Sequence, residues 1–208
     1  MAVSNMNGKP TFASVLAGSV VFLTLVSAAQ AHMLVEGAGD MANGALHPLI
    51  SPAHMLILVG LALVLGQQVP FELKIPVRIF APVSAVALML TMLLSLTEVW
   101  PPLLLGLALC LGTIVGLELR LPRLVLALLC AVVAIGIGVD SAVESESTGT
   151  KVKALLGTWL AINAIVFYLA ICVSNGANKK WARTGIRVIG SWIIAISLMV
   201  LAFTLAKK

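Results

Sequence analysis

The sequence predicts an all-α fold: a polytopic membrane helix bundle of six transmembrane helices behind a cleavable signal peptide. Three observations carry that prediction. Of the 208 residues, 61% are hydrophobic and only 10% charged, against roughly 25% charged in soluble domains. The apolar residues fall into six blocks, at 46–66, 77–96, 101–117, 124–139, 153–173 and 185–205, each near the ~20 residues that cross a bilayer. The connectors between the blocks alternate between basic and acidic or neutral along the whole chain.

The elements follow in order. Lys9 supplies a positive start, residues 13–26 an apolar stretch, and Ala29-Gln30-Ala31 a small-x-small cleavage pattern, which together read as a signal peptide. Residues 1–31 are therefore assigned as the signal peptide and 32–208 as a single six-helix transmembrane domain, with His32 as the first mature residue. Backbone groups cannot go unpaired in lipid, so each apolar block must be helical. The first contains Pro48 and Pro52, and a proline interrupts the helical ladder and breaks or kinks it. The third opens at Pro101-Pro102 and holds Gly112 and Gly116, a small-xxx-small pattern that lets helices approach closely. The fourth ends at Asp140, before a polar stretch at 141–150. Thr158 and Asn163 in the fifth can hydrogen-bond across helices.

Orientation comes from the basic residues. Lys74 and Arg78, then Arg120 and Arg123, then Lys179, Lys180, Arg183 and Arg187 occupy alternate connectors, while Glu36, Asp40 and Glu98 occupy others. The connector after the fourth block is mixed, with Asp140, Glu144 and Glu146 against Lys151 and Lys153. Positive residues stay in the cytoplasm, so the mature N-terminus is expected outside; Lys207 and Lys208, also expected outside, run against the rule. The net charge of +5 thus describes loops at a membrane surface rather than a nucleic-acid footprint. Cys110, Cys130 and Cys172 lie within apolar blocks without CxxC spacing, so they are expected to be buried free thiols rather than a disulfide framework or zinc ribbon.

All three histidines, His32, His47 and His54, fall within 23 positions. On a straight helix His47 and His54 would share a face about 10 Å apart, too far for one ion. A break at the prolines could bring the imidazoles together, as in the interrupted helices at transporter ion sites. In the structural alternative, His47 caps the helix and His54 makes a buried hydrogen bond. A mature N-terminal His32 would offer an α-amine and an imidazole to a divalent ion. Asp140 and Glu144, four apart at a helix end, are candidate ionisable groups at membrane depth. Met55, Met89 and Met92 could supply thioethers to a soft ion but also suit core packing. No nucleophile–base pair, P-loop or dinucleotide fold is present, so an enzyme is not expected.

A terminal Ala31-His32, then His47-Pro48-Leu49 with His54 seven residues on, then six helices, resembles the HupE/UreJ family. These are bacterial membrane proteins associated with nickel or cobalt uptake for hydrogenase and urease. Gly66-Gln67, Pro101-Pro102 and the stretch 138–144 lie where that family would place them. Against the family motif His-Pro-x-x-Gly-x-Asp-His, His47, Pro48 and His54 match, while Ser51 and Ala53 replace the glycine and aspartate. Against a second motif, His-Gly-x-x-His-Gly-x-Glu, Gly138 and Glu144 match, and Ile137 and Ser141 replace the histidines. The resemblance implies an inner-membrane permease or metal-delivery protein for nickel or cobalt, or copper at the remaining imidazoles. No tightly bound cofactor is implied; the ion is cargo, and the implied partners are the bilayer and metalloenzyme maturation proteins. In that reading His32, Glu36 and Asp40 collect the ion, His47 and His54 pass it inward, and Asp140 and Glu144 contribute from the fourth helix. The alternative is a non-transporting membrane subunit or assembly factor of a metalloenzyme complex.

Overall fold

A computed structural model describes residues 39–94, 101–142 and 147–206. The signal-peptide assignment, His32, Glu36, Glu98, Glu144, Glu146 and Lys207-Lys208 lie outside them. Among the described residues every regular element is a helix: α1 (Asp40–Ile50), α2 (Pro52–Gly66), α3 (Lys74–Leu94), α4 (Pro101–Gly116), α5 (Arg123–Asp140), α6 (Thr148–Gly176) and α7 (Lys180–Ala206).

The first expected helix is two helices, bent by 76° at Ser51. Ser51 is extended, at φ −73° and ψ 113°. Pro52 dictates this, because a proline disfavours the α conformation in the residue before it. Pro52 itself opens α2 in the first turn, where a missing N–H costs nothing. Pro48 sits inside α1 and cannot donate to the carbonyl four residues back, that of Gly44. The Thr158 hydroxyl on α6 donates to that oxygen instead, at 2.8 Å. Gly44 makes the approach possible: a Cβ there would stand 1.9 Å from the Ala154 carbonyl oxygen, and one on Gly157 would stand 1.9 Å from that of Met41.

α2 is apolar on every side, and Ile57, Leu58, Leu61, Leu63, Val64 and Leu65 are all buried. A helix hydrophobic all round belongs in the interior, and α2 packs against α4, α5, α6 and α7. The outward faces of the surrounding helices carry exposed Leu93, Leu124, Tyr168, Trp192 and Phe203, a surface suited to lipid. Gly112 of α4 packs on α7, where an added Cβ would lie 3.0 Å from Ile193 and 3.1 Å from the Gly190 carbonyl, whereas Gly116 has room. The close-packing expectation therefore holds at Gly112.

Among the described residues four helices (α3, α5, α6, α7) are long and apolar enough to cross a membrane, or five spans if the bent α1–α2 pair counts as one. The remaining apolar helix, α4, has 16 residues. α6 and α7, with 29 and 27 residues, outrun their apolar blocks. Hydropathy marks the lipid-crossing part of a helix; polar turns such as 148–152 continue it without an apolar signal. The cysteines depart from expectation in part: all are free, Cys130 is buried, and Cys110 and Cys172 face outward.

Candidate functional site

The break at Ser51 brings together what a straight helix would separate. The His47 and His54 rings lie 5.4 Å apart, edge to face at 72°. His54, the third residue of α2, is fully buried, and its Nε2 lies 2.8 Å from Oδ2 of Asp140, whose side chain is 18% exposed. Asp140 ends α5, where the helix dipole disfavours an anion, so the imidazole is its compensating contact.

This pairing selects a tautomer of His54. In the Nε2–H tautomer the ring donates to Asp140 Oδ2, and Nδ1 carries the lone pair. That Nδ1 is buried and finds no partner among the described residues. An unmatched lone pair on a ring whose other nitrogen is held by a carboxylate is how metal-ligating histidines are oriented. Asp140 thus holds the His54 ring through Nε2. Among the described residues no three His, Cys, Asp or Glu side chains converge as a metal-binding set. The local offer is two imidazoles with one supporting carboxylate.

The remaining expected residues distribute as follows. Asp40 starts α1, where a carboxylate complements the helix N-terminus. Ser141 is buried and donates to the Ile137 carbonyl at 2.7 Å, so the positions where the second family motif has histidines serve packing and local capping. Met89 is exposed and Met92 packs against the core. Asn163 donates to the Trp159 carbonyl at 2.8 Å, while its Oδ1 is buried without a partner among the described residues. Along α2 beyond His54, Ile57, Leu58 and Leu61 are fully buried apolar residues.

The opposite end of the bundle was not anticipated as a site. There Gln68, 7% exposed, donates to the carbonyls of Val64 at 3.0 Å and Leu119 at 3.2 Å, and accepts from the Leu121 N–H at 3.0 Å. Arg123 pairs with Glu72, and Arg183 with Glu118. The one sequence signal for these contacts was an acidic residue in each of two otherwise basic connectors.

An all-helical chain with lipid-suited outer faces and a buried histidine–carboxylate pair at a helix break is an integral membrane protein with a polar site at one end. Residues 20–200 match the family model described as HupE / UreJ protein. The chain belongs to that family, of metal accessory and permease-type membrane proteins. No curated protein and no solved structure matches it.

Proposed function

We propose that the protein binds a divalent transition-metal ion at His47 and His54 on the periplasmic side of the bacterial inner membrane and passes it inward. The observation that carries this reading is the orphaned Nδ1 of His54, held by Asp140 through the opposite nitrogen. Buried polar atoms are nearly always satisfied, and a bare imidazole lone pair beside a second imidazole suits nickel, cobalt or copper.

Two protein ligands make a site that takes up an ion and lets it go, with water or carbonyl oxygens completing the shell. In this proposal His32, Glu36 and Asp40 collect the ion, and Glu144 joins Asp140 in contributing negative charge to its path. α4 supplies the sixth span, reaching one face through its connectors. The apolar floor at Ile57, Leu58 and Leu61 means that inward passage requires α2 to move, and the extended residue Ser51 is the natural hinge.

The test is metal accumulation in proteoliposomes by the wild type and by a His47→Ala/His54→Ala double mutant. Nickel or cobalt uptake by the wild type alone supports the reading. Equal uptake by both would end it. Absence of uptake, together with a stoichiometric membrane partner on purification, would favour an assembly subunit.

A further inference from the structure

The end of the bundle opposite His54 carries a cavity of about 230 Å³, lined by Gln67, Glu118, Arg120, Asn178, Arg183 and Arg187. Three guanidinium groups face one carboxylate there, so two positive charges are left over. Glu118 takes up Arg183, whose Nε donates to Oε1 at 2.8 Å. Arg187 donates from Nε to the Gly116 carbonyl at 3.2 Å, which fixes its stem and leaves its terminal nitrogens to the cavity. Arg120 makes no hydrogen bond or ion pair among the described residues. A cluster of this kind is built for an oxyanion, since each planar guanidinium can offer paired donors to phosphate oxygens.

Two further features narrow the class. Gln67 donates from Nε2 to the Ile114 carbonyl at 3.4 Å, and its Oε1 is buried without a partner among the described residues. Swapping the amide would set oxygen against oxygen, so the open atom is an acceptor. An occupant that brings a donor, such as a hydroxyl, as well as an anion would satisfy it. Beside the cavity Val69 and Leu117 are exposed, and Trp181 stands exposed two residues before Arg183. Tryptophan gathers at headgroup depth, and basic pockets between transmembrane helices accept anionic headgroups.

We propose that this cavity binds the phosphate of an anionic, hydroxyl-bearing phospholipid headgroup of the phosphatidylglycerol type. Arg120 and Arg187 hold the phosphate, Gln67 accepts from the hydroxyl, and the exposed apolar residues at the rim meet the acyl chains. The site is independent of the imidazole pair at the other end.

The experiment uses the full-length protein in detergent, with bound lipid counted per protein by native mass spectrometry after exposure to phosphatidylglycerol or phosphatidylcholine. Wild type should retain phosphatidylglycerol selectively. Arg120→Gln and Arg187→Gln should each lower its retention about fivefold, the effect of one basic side chain at an anionic headgroup. Arg78→Gln removes a charge from α3 outside the cavity and should leave retention unchanged, which separates a site from general attraction. Gln67→Leu should abolish the preference for phosphatidylglycerol over phosphatidic acid, which lacks the headgroup glycerol and its hydroxyls. Equal retention by wild type and Arg120→Gln would overturn the proposal. Saturation by inorganic phosphate in lipid-free detergent, with no gain from phosphatidylglycerol, would assign a soluble oxyanion and overturn the lipid source.

Discussion

The two ends of α2 meet the same physical demand in opposite ways. A helix that ends inside a bundle leaves polar groups to satisfy, and at the C-terminal end Gln68 satisfies its neighbours with every hydrogen and oxygen of its amide. The N-terminal end, by contrast, opens at a proline break and buries His54 with Nδ1 unmatched. One end is a clamp; the other holds an unspent lone pair. The contrast teaches that buried polar groups on one helix can differ in whether the fold uses up their hydrogen-bonding capacity. Gln67, beside the clamp but with its Oε1 open, belongs by this criterion with His54.

The comparison breaks most severely if α1 cannot dock. Gly44→Ala places a methyl group 1.9 Å from a backbone oxygen of α6, and backbone cannot rotate away as a side chain can. A loss on the order of 3 kcal/mol is expected, the upper end for overpacking, with loss of metal binding because His47 moves with α1. Denaturant unfolding in detergent reads the first effect and metal titration the second. Wild-type stability in this variant would mean that α1 does not sit against α6 as described.

Asp140→Asn sharpens the comparison without disturbing the packing. The amide keeps the shape of the carboxylate but removes its charge and no longer fixes the tautomer of His54. Metal affinity should fall about 10–100-fold, as when other carboxylates behind ligating histidines are removed, while thermal unfolding changes little. Unchanged affinity in isothermal titration would remove Asp140 from the site.

These tests also mark what the sequence could disclose. Pro48 and Pro52 announced the break, because proline acts on its immediate neighbours and needs no tertiary information. The apolar blocks announced the helices for a similar reason: lipid imposes its rule on each segment separately. The His54–Asp140 contact joins residues 86 positions apart, and no periodicity encodes such a distance. Thr158 was legible as a residue able to bond across helices, but its target, the Gly44 carbonyl released by Pro48, emerges only once α1 and α6 lie together. Helix ends were the least legible, since α6 and α7 continue through polar turns that hydropathy does not register.

At the clamp, Gln68→Leu removes one acceptor and two donors while keeping an apolar volume of similar size. The Leu121 N–H and the Leu119 carbonyl then lose their partner, with an expected cost of about 2 kcal/mol. Metal affinity should stay as in the wild type, because the clamp lies roughly 20 Å from His54 along α2. A parallel fall in affinity would show that the two ends are coupled.

The smallest effect is expected at Glu118, and its sign is the informative part. The N–H of Leu119 donates to the Ile114 carbonyl, and that of Glu118 to the Val115 carbonyl, both at 3.0 Å, which is the closing pattern that usually places glycine in the left-handed position. Here Glu118 occupies it at φ 54°, at a cost of roughly 1 kcal/mol for a residue with a side chain. Its pair with Arg183 is half-exposed, and such pairs contribute about 0.2–1 kcal/mol. Glu118→Gly should therefore leave stability unchanged or raise it by a few tenths of a kcal/mol, despite the loss of an ion pair. It also releases Arg183 to the cavity, so retention of phosphatidylglycerol should rise. A variant that is less stable by more than about 1 kcal/mol would place the ion pair above the range for exposed pairs. Glu118 would then be a structural strut, and the open, anion-seeking character of its cavity would rest on Arg120 and Arg187 alone.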